Sequence, residues 1–148
     1  MTELARWLHI ISAAAWLGGN LVMLMMPGLL ASGGRPTMLA LGRASLALGR
    51  VFFTPAAILT LLTGIWLVID IGYSWGATFV SIGFAAVIVS AGIAMGLQTP
   101  IGRRIIAALE SGDADGARAS WPRHSAYGVI NVIVLLVAFY SMTARWGA

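Results

Sequence analysis

The sequence predicts an all-α integral membrane protein: one domain over residues 1–148, a four-helix bundle with both termini on the outer side of the bilayer. Three observations predict it. Of the 148 residues, 59% are hydrophobic and only 9% charged, whereas soluble domains carry about a quarter charged residues. The mean hydropathy is +0.91. The gaps between charged residues also leave room for four helices of about 20 apolar residues, the length that crosses roughly 30 Å of hydrocarbon. A soluble enzyme, a disordered linker and a nucleic-acid-binding module are excluded, even though the net charge is +4.

The first span lies between Arg6 and Arg35 and covers about 7–27. It is too long for the apolar core of a signal peptide. Arg50 and Asp70 enclose 19 uncharged residues, 51–69, which form the second span. Asp70 to Arg103 leaves 32, enough for a turn over 72–76 and a third span over about 77–99. The fourth, about 125–144, lies between Arg123 and Arg145, with His124 at its start. Each is a helix, because in lipid only helices and closed barrels pair every backbone group. The alternation of barrel strands is missing.

Charge sets the orientation. Arg35, Arg43, Arg50, Arg103, Arg104, Arg118 and Arg123 fall in the first and third loops, and only Arg6 and Arg145 fall on the other side. The positive-inside rule then puts both termini outside the cell or in the periplasm. Trp7, Trp66, Tyr73, Trp75, Tyr140 and Trp146 form an outer aromatic belt, and Trp121 marks the inner interface. Ile105, Ile106 and Leu109 share one side of an amphipathic run opposite Arg103, Arg104 and Glu110. The third helix is therefore expected to continue past the membrane and break at Ser111–Gly112. Cysteine and lysine are both absent, so disulfides and thiolate chemistry are excluded.

His9 is the most informative residue. His9, Ser12, Trp16, Asn20 and Met23 recur at spacings of three or four and share one helix face. Polar groups inside a span face the bundle interior, and Gly18 and Gly19 beside them allow close approach of a helix or a flat cofactor. His9 is the candidate haem iron ligand. Its alternative is a histidine bonded to a backbone carbonyl or a headgroup near the interface. His124 begins the fourth span on the inner side. Two histidines sharing a metal need nitrogens within roughly 4 Å, and the helical rise separates these by on the order of 20 Å. Met142 lies at the depth of His9 and is the candidate second axial ligand, since His/Met ligation of haem iron is a known pattern; simple packing is its alternative.

A second constellation, Met23, Met26, Met95 and His124, has the thioether and imidazole groups that suit monovalent copper. Gly92 and Gly96, with Gly64, form small-residue contacts for helix packing, within the bundle or between protomers. Thr54, Thr60 and Thr63 return their hydroxyls to backbone carbonyls, and Asn131 bonds another helix. Asp70 is an outer surface group. Paired intramembrane carboxylates, a phosphate loop and a Ser/His/Asp set are all missing.

The run Trp7-Leu8-His9-Ile10-Ile11, followed by Ala15-Trp16-Leu17-Gly18-Gly19, resembles the first span of CopD-like membrane proteins and of the protoporphyrinogen oxidase HemJ. Thr54-Pro55-Ala56 and the segment 59–67 resemble the second span of that superfamily, and Gly102-Arg103-Arg104 fits as well. The resemblance implies a small four-span bacterial inner-membrane protein with His9 in the place of a haem-associated histidine. HemJ-type proteins carry a further lysine in the third span, and here the stretch reads Ser74-Trp75-Gly76-Ala77-Thr78-Phe79. That difference argues against protoporphyrinogen oxidation.

Three functions follow as expectations. The first is a membrane haem b protein, bound through His9 with Trp16, Gly18 and Gly19 shaping the pocket, serving electron transfer or redox sensing near the outer leaflet. The second is copper handling or transport through the Met/His set. The third is a cofactor-free accessory or assembly subunit. The expected partners are the lipid bilayer and a homo-oligomer or a larger membrane complex, with no nucleic acid.

Overall fold

The computed structural model describes residues 1–145 and 147, and it is helical almost throughout. Helix α1 runs Thr2–Leu30, and a 3-10 turn over Ala31–Gly33 leads into α2, Gly34–Leu48. A π-helical segment, Gly49–Phe53, joins α2 to α3, Thr54–Ile71. Helix α4, Thr78–Gly92, continues through a second π segment, Ile93–Gln98, into α5, Thr99–Ser111. Helix α6 spans Ala114–Ala144. Three continuous helical stretches, 2–71, 78–111 and 114–144, are long and apolar enough to cross a membrane.

The longest of these is not straight. Gly34 sits at φ 68°, ψ −164°, a conformation that glycine tolerates for want of a Cβ. The chain reverses there, and α1 packs along α3. Thr2, at the start of α1, accordingly donates its hydroxyl to Asp70 near the end of α3. Gly72 and Gly112, at φ 80° and 82°, end α3 and α5 in left-handed caps. The break after Ser111 falls where the sequence places it. The next helix starts at Ala114, well before residue 125, because Asp113 caps it through Gly116 N–H at 2.8 Å. Pro122 is carried inside α6.

The π segments share one origin. Each precedes a Thr-Pro pair, Thr54-Pro55 or Thr99-Pro100. Proline has no N–H and its ring crowds the carbonyl four residues back. A wider turn relieves the clash, and the threonine closes it. The backbone N–H and hydroxyl of Thr54 both go to Gly49 O, and those of Thr99 both go to Ala94 O. Side-chain rescue of this kind is how membrane helices tolerate proline.

Helix α1 packs between α3 and α6, α6 also holds α4 and α5, and α2 lies against α5. The two ends of the bundle differ in charge. Arg6 and Arg145 line a cavity at the end that carries His9. At the other end, Arg43 pairs with Glu110 at 2.6 Å, and Arg35 donates to the carbonyls of Leu109 and Glu110 at the C-terminus of α5, where a cation complements the helix dipole. Ile105 and Ile106 are buried while Arg103, Arg104 and Glu110 are exposed, as the amphipathic pattern requires.

Polarity is arranged for hydrocarbon. Ile10, Val22, Met25, Leu62, Ile69, Ile88 and Ile133 all point outward, more than half exposed. Of the four fully buried side chains among the described residues, Val80, Asn131, Ser90 and Ser141, three are polar. Water would demand the opposite sorting. In lipid, polar groups turn to the interior. Trp7, Trp66, Trp75 and Tyr140 are exposed, whereas Tyr73 stacks edge-on against Phe79 at 5.1 Å and belongs to the packed end. Trp146 lies outside the described residues.

Candidate functional site

His9 is placed by the pairing of α1 with α3. Its Nδ1 lies 2.9 Å from Thr60 O and 3.1 Å from Thr63 Oγ1. A carbonyl oxygen can only accept, so Nδ1 carries the proton. Thr63 spends its own hydroxyl hydrogen on Leu59 O at 2.6 Å and presents a lone pair to the ring. The neutral imidazole is thereby fixed as the Nδ1–H tautomer, and the lone pair is on Nε2. A second connection runs the other way. Thr60 Oγ1 donates to Ser12 Oγ at 2.9 Å, and Ser12 donates to His9 O at 3.1 Å. Thr60 thus returns its hydroxyl to another side chain, not to a carbonyl, whereas Thr54 and Thr63 bond carbonyls as expected.

The ring borders a cavity of about 410 Å³ that also touches Trp16, Gly64, Phe79, Gly83 and Met142. That volume falls in the range of small-molecule and cofactor sites. Gly64 admits the imidazole: a Cβ there would lie 3.1 Å from His9 Cε1. Gly83 admits Met142, whose Cε occupies the space a Cβ would take. Around this cavity pack Val68, Ala77, Phe79 and Val80, with Tyr73, Phe84 and Met142 against them. The residues that could hold a flat metallocofactor are therefore His9, through Nε2, and Met142, through its thioether. An imidazole and a thioether are donor types that ligate haem iron.

Gly18 and Gly19 do not border this cavity. Gly18 has open space beside it, and a Cβ on Gly19 would lie 2.7 Å from Phe53 Cε1 and 2.9 Å from Phe52 Cε1. Gly19 is a seat for two phenyl rings, of which Phe53 borders a second cavity. Gly92 and Gly96 likewise meet nothing within 4 Å in the described chain, so they face outward and pack no helix here.

The second cavity, about 620 Å³, opens toward the arginine end and is bordered by both π segments. Met23, Met95 and His124 border it, with Met95 68% exposed; Met26 does not. His124 packs beside Gly102 and Trp121. His9 and His124 sit on different cavities, and Trp16, buried, borders both. Among the described residues no cluster of three His, Cys, Asp or Glu side chains is placed to hold a metal ion.

Residues 3–146 match the family described as a predicted integral membrane protein, DUF2269. The chain belongs to that family. Membership of DUF2269 agrees with the outward-facing apolar helices and makes contact with a lipid bilayer part of the account. No curated protein and no solved structure matches the chain.

In this DUF2269 member two hydrogen-bonded pairings differ in how far the sequence reveals them. The role of Thr60 and Thr63 as hydrogen-bond partners of His9 depends on the register of α3 against α1, which spacing within α3 does not encode. The pairing of Asn20 with Asn131 across α1 and α6, 3.2 Å from Asn131 Nδ2 to Asn20 Oδ1, was legible only in part. Each is an intramembrane amide, and such groups seek one another.

Proposed function

We propose that this protein is a four-span haem b protein of the bacterial inner membrane, with both termini on the periplasmic side. Iron is bound through His9 Nε2 in the cavity near the outer leaflet, for electron transfer or redox sensing. The supporting observation is the hydrogen bond from His9 Nδ1–H to Thr60 O at 2.9 Å. Ligating histidines donate their other ring nitrogen to a carbonyl or carboxylate, which fixes the tautomer and raises ligand basicity. The same bond fits a histidine satisfied by a backbone carbonyl, and what favours a ligand is that the ring also borders a cavity. Met142 borders the same cavity and is the proposed sixth ligand; a thioether there raises the reduction potential. The likeness of segments 7–19 and 54–67 to CopD- and HemJ-like spans supports the same assignment.

The four-span topology rests on charge. Seven arginines fall in the first and third loops and two on the other side, and the richer side faces the cytoplasm under the positive-inside rule. Copper handling through Met23, Met26, Met95 and His124 has less support, since Met26 lies off the cavity the other three share.

Protein purified in detergent from cells supplied with haem should show a Soret band that His9→Ala abolishes. Colourless protein after haem supplementation, or a band that survives His9→Ala, overturns the proposal.

A further inference from the structure

Two buried polar side chains border the cavity at the arginine end, and their hydrogen-bond demand can be read atom by atom. Ser90 and Asn131 are 1% and 2% exposed, and Ser90 Oγ and Asn131 Oδ1 find no hydrogen-bond partner among the described residues. Both residues border the cavity. The orientation of the amide follows from its neighbours. Trp16 O can only accept, so Asn20 turns its Nδ2 to it at 2.9 Å. Asn20 must then present Oδ1 to Asn131, which answers with Nδ2 at 3.2 Å. The atom left over on Asn131 is an acceptor, and the chain of bonds ends on it.

An occupant has to meet that acceptor with a hydrogen and can take one from the Ser90 hydroxyl. A single hydroxyl group does both. A ketone does only the second and leaves Asn131 Oδ1 facing another carbonyl oxygen. A carboxylate would also leave it unpaired and would add a charge beside neutral groups, since the cations bordering this cavity, Arg50 and Arg103, belong to its arginine end. The walls suit a ring. Trp16, Phe53, Met23 and Met95 border the cavity, and thioethers and aromatic faces pack well on flat unsaturated groups. Both Thr-Pro π segments border it too, and π turns are frequent at functional sites.

We infer that this cavity binds a lipid-soluble phenol or quinol, its ring hydroxyl bridging Asn131 Oδ1 and Ser90 Oγ, and that it prefers the quinol to the corresponding quinone. The inference concerns the second cavity and stands whether or not His9 binds haem. Because a buried acceptor left unpaired is costly, the reduced ligand should bind roughly tenfold tighter than the oxidised one.

The test is a titration of the full-length protein in lipid nanodiscs, read by tryptophan fluorescence. The ligands are a decyl-substituted 1,4-benzoquinol, the matching benzoquinone, and decanol. The expected result is saturable quinol binding, about tenfold weaker quinone binding, and no saturable decanol binding. Asn131→Leu should weaken quinol to the level of quinone, and Ser90→Ala should weaken both ligands. The wild-type selectivity decides the matter even if Asn131→Leu fails to fold. Equal affinity for quinol and quinone, decanol binding as tight as quinol, or no saturable binding at all (ordered water alone meeting the two atoms) each overturns the inference.

Discussion

His9 and Thr60 hold one another twice: the imidazole donates to the Thr60 carbonyl at 2.9 Å, and the Thr60 hydroxyl reaches the His9 carbonyl through Ser12. The loop of bonds locks the register of α1 against α3 and aims the remaining ring nitrogen. Thr60→Val keeps the carbonyl and the shape but breaks the hydroxyl branch. We expect a loss of about 1 kcal/mol, in line with single interhelical hydrogen bonds in membranes, with the His9 bond to Thr60 O intact. Thermal unfolding in detergent measures the first. A nitrogen-15 NMR tautomer measurement on the His9 ring checks the second, and the Nδ1–H form should persist.

On the proposed haem assignment, Gly64 and Gly83 are two places where a methyl group should change the site without replacing His9 or Met142. Gly64→Ala sets a Cβ 3.1 Å from His9 Cε1, so the ring must shift by a few tenths of an ångström against its bond to Thr60 O. Haem content should fall at least severalfold, while the helix content by circular dichroism stays the same. Undiminished haem content would separate the ring's position from binding.

Gly83→Ala acts on the other side. Its Cβ collides with the flexible end of Met142, so the thioether should swing away while His9 keeps the iron. The expected outcome is a retained Soret band with a high-spin spectrum and a lower midpoint potential, the same signature as Met142→Leu. Redox titration of the two variants side by side checks it.

Much of the architecture is legible in the sequence because lipid leaves so few solutions. Charge-free runs fall within the long apolar helical stretches, the amphipathic run ending at Ser111–Gly112 marks a helix end, and the His9–Ser12–Trp16–Asn20–Met23 face turns inward as its spacing implies. What spacing does not carry is register between helices. It could not select Thr60 as the partner of His9 from among three threonines. Nor could it show that Gly19 seats Phe52 and Phe53 instead of bordering the His9 cavity. The early start of α6 is hidden for a different reason: 114–123 is polar and reads as loop until the Asp113 cap is seen.

Orientation has its own test. Alkaline phosphatase, active only outside the cytoplasm, should be active when fused after residue 145 and inactive when fused after Gly112. Changing four of the seven arginines of the first and third loops to alanine should weaken this contrast. Activity at both points would contradict the topology.

The most direct measurement of the central claim is chemical rescue. In His9→Gly the imidazole is replaced by space beside Gly64, and the protein purified from haem-supplied cells should lack a Soret band. Added free imidazole should restore it in a saturable way, with the low-spin spectrum of wild type if Met142 is the second ligand. If haem binds His9→Gly as well as wild type without imidazole, or wild type itself takes up none, His9 is not the iron ligand.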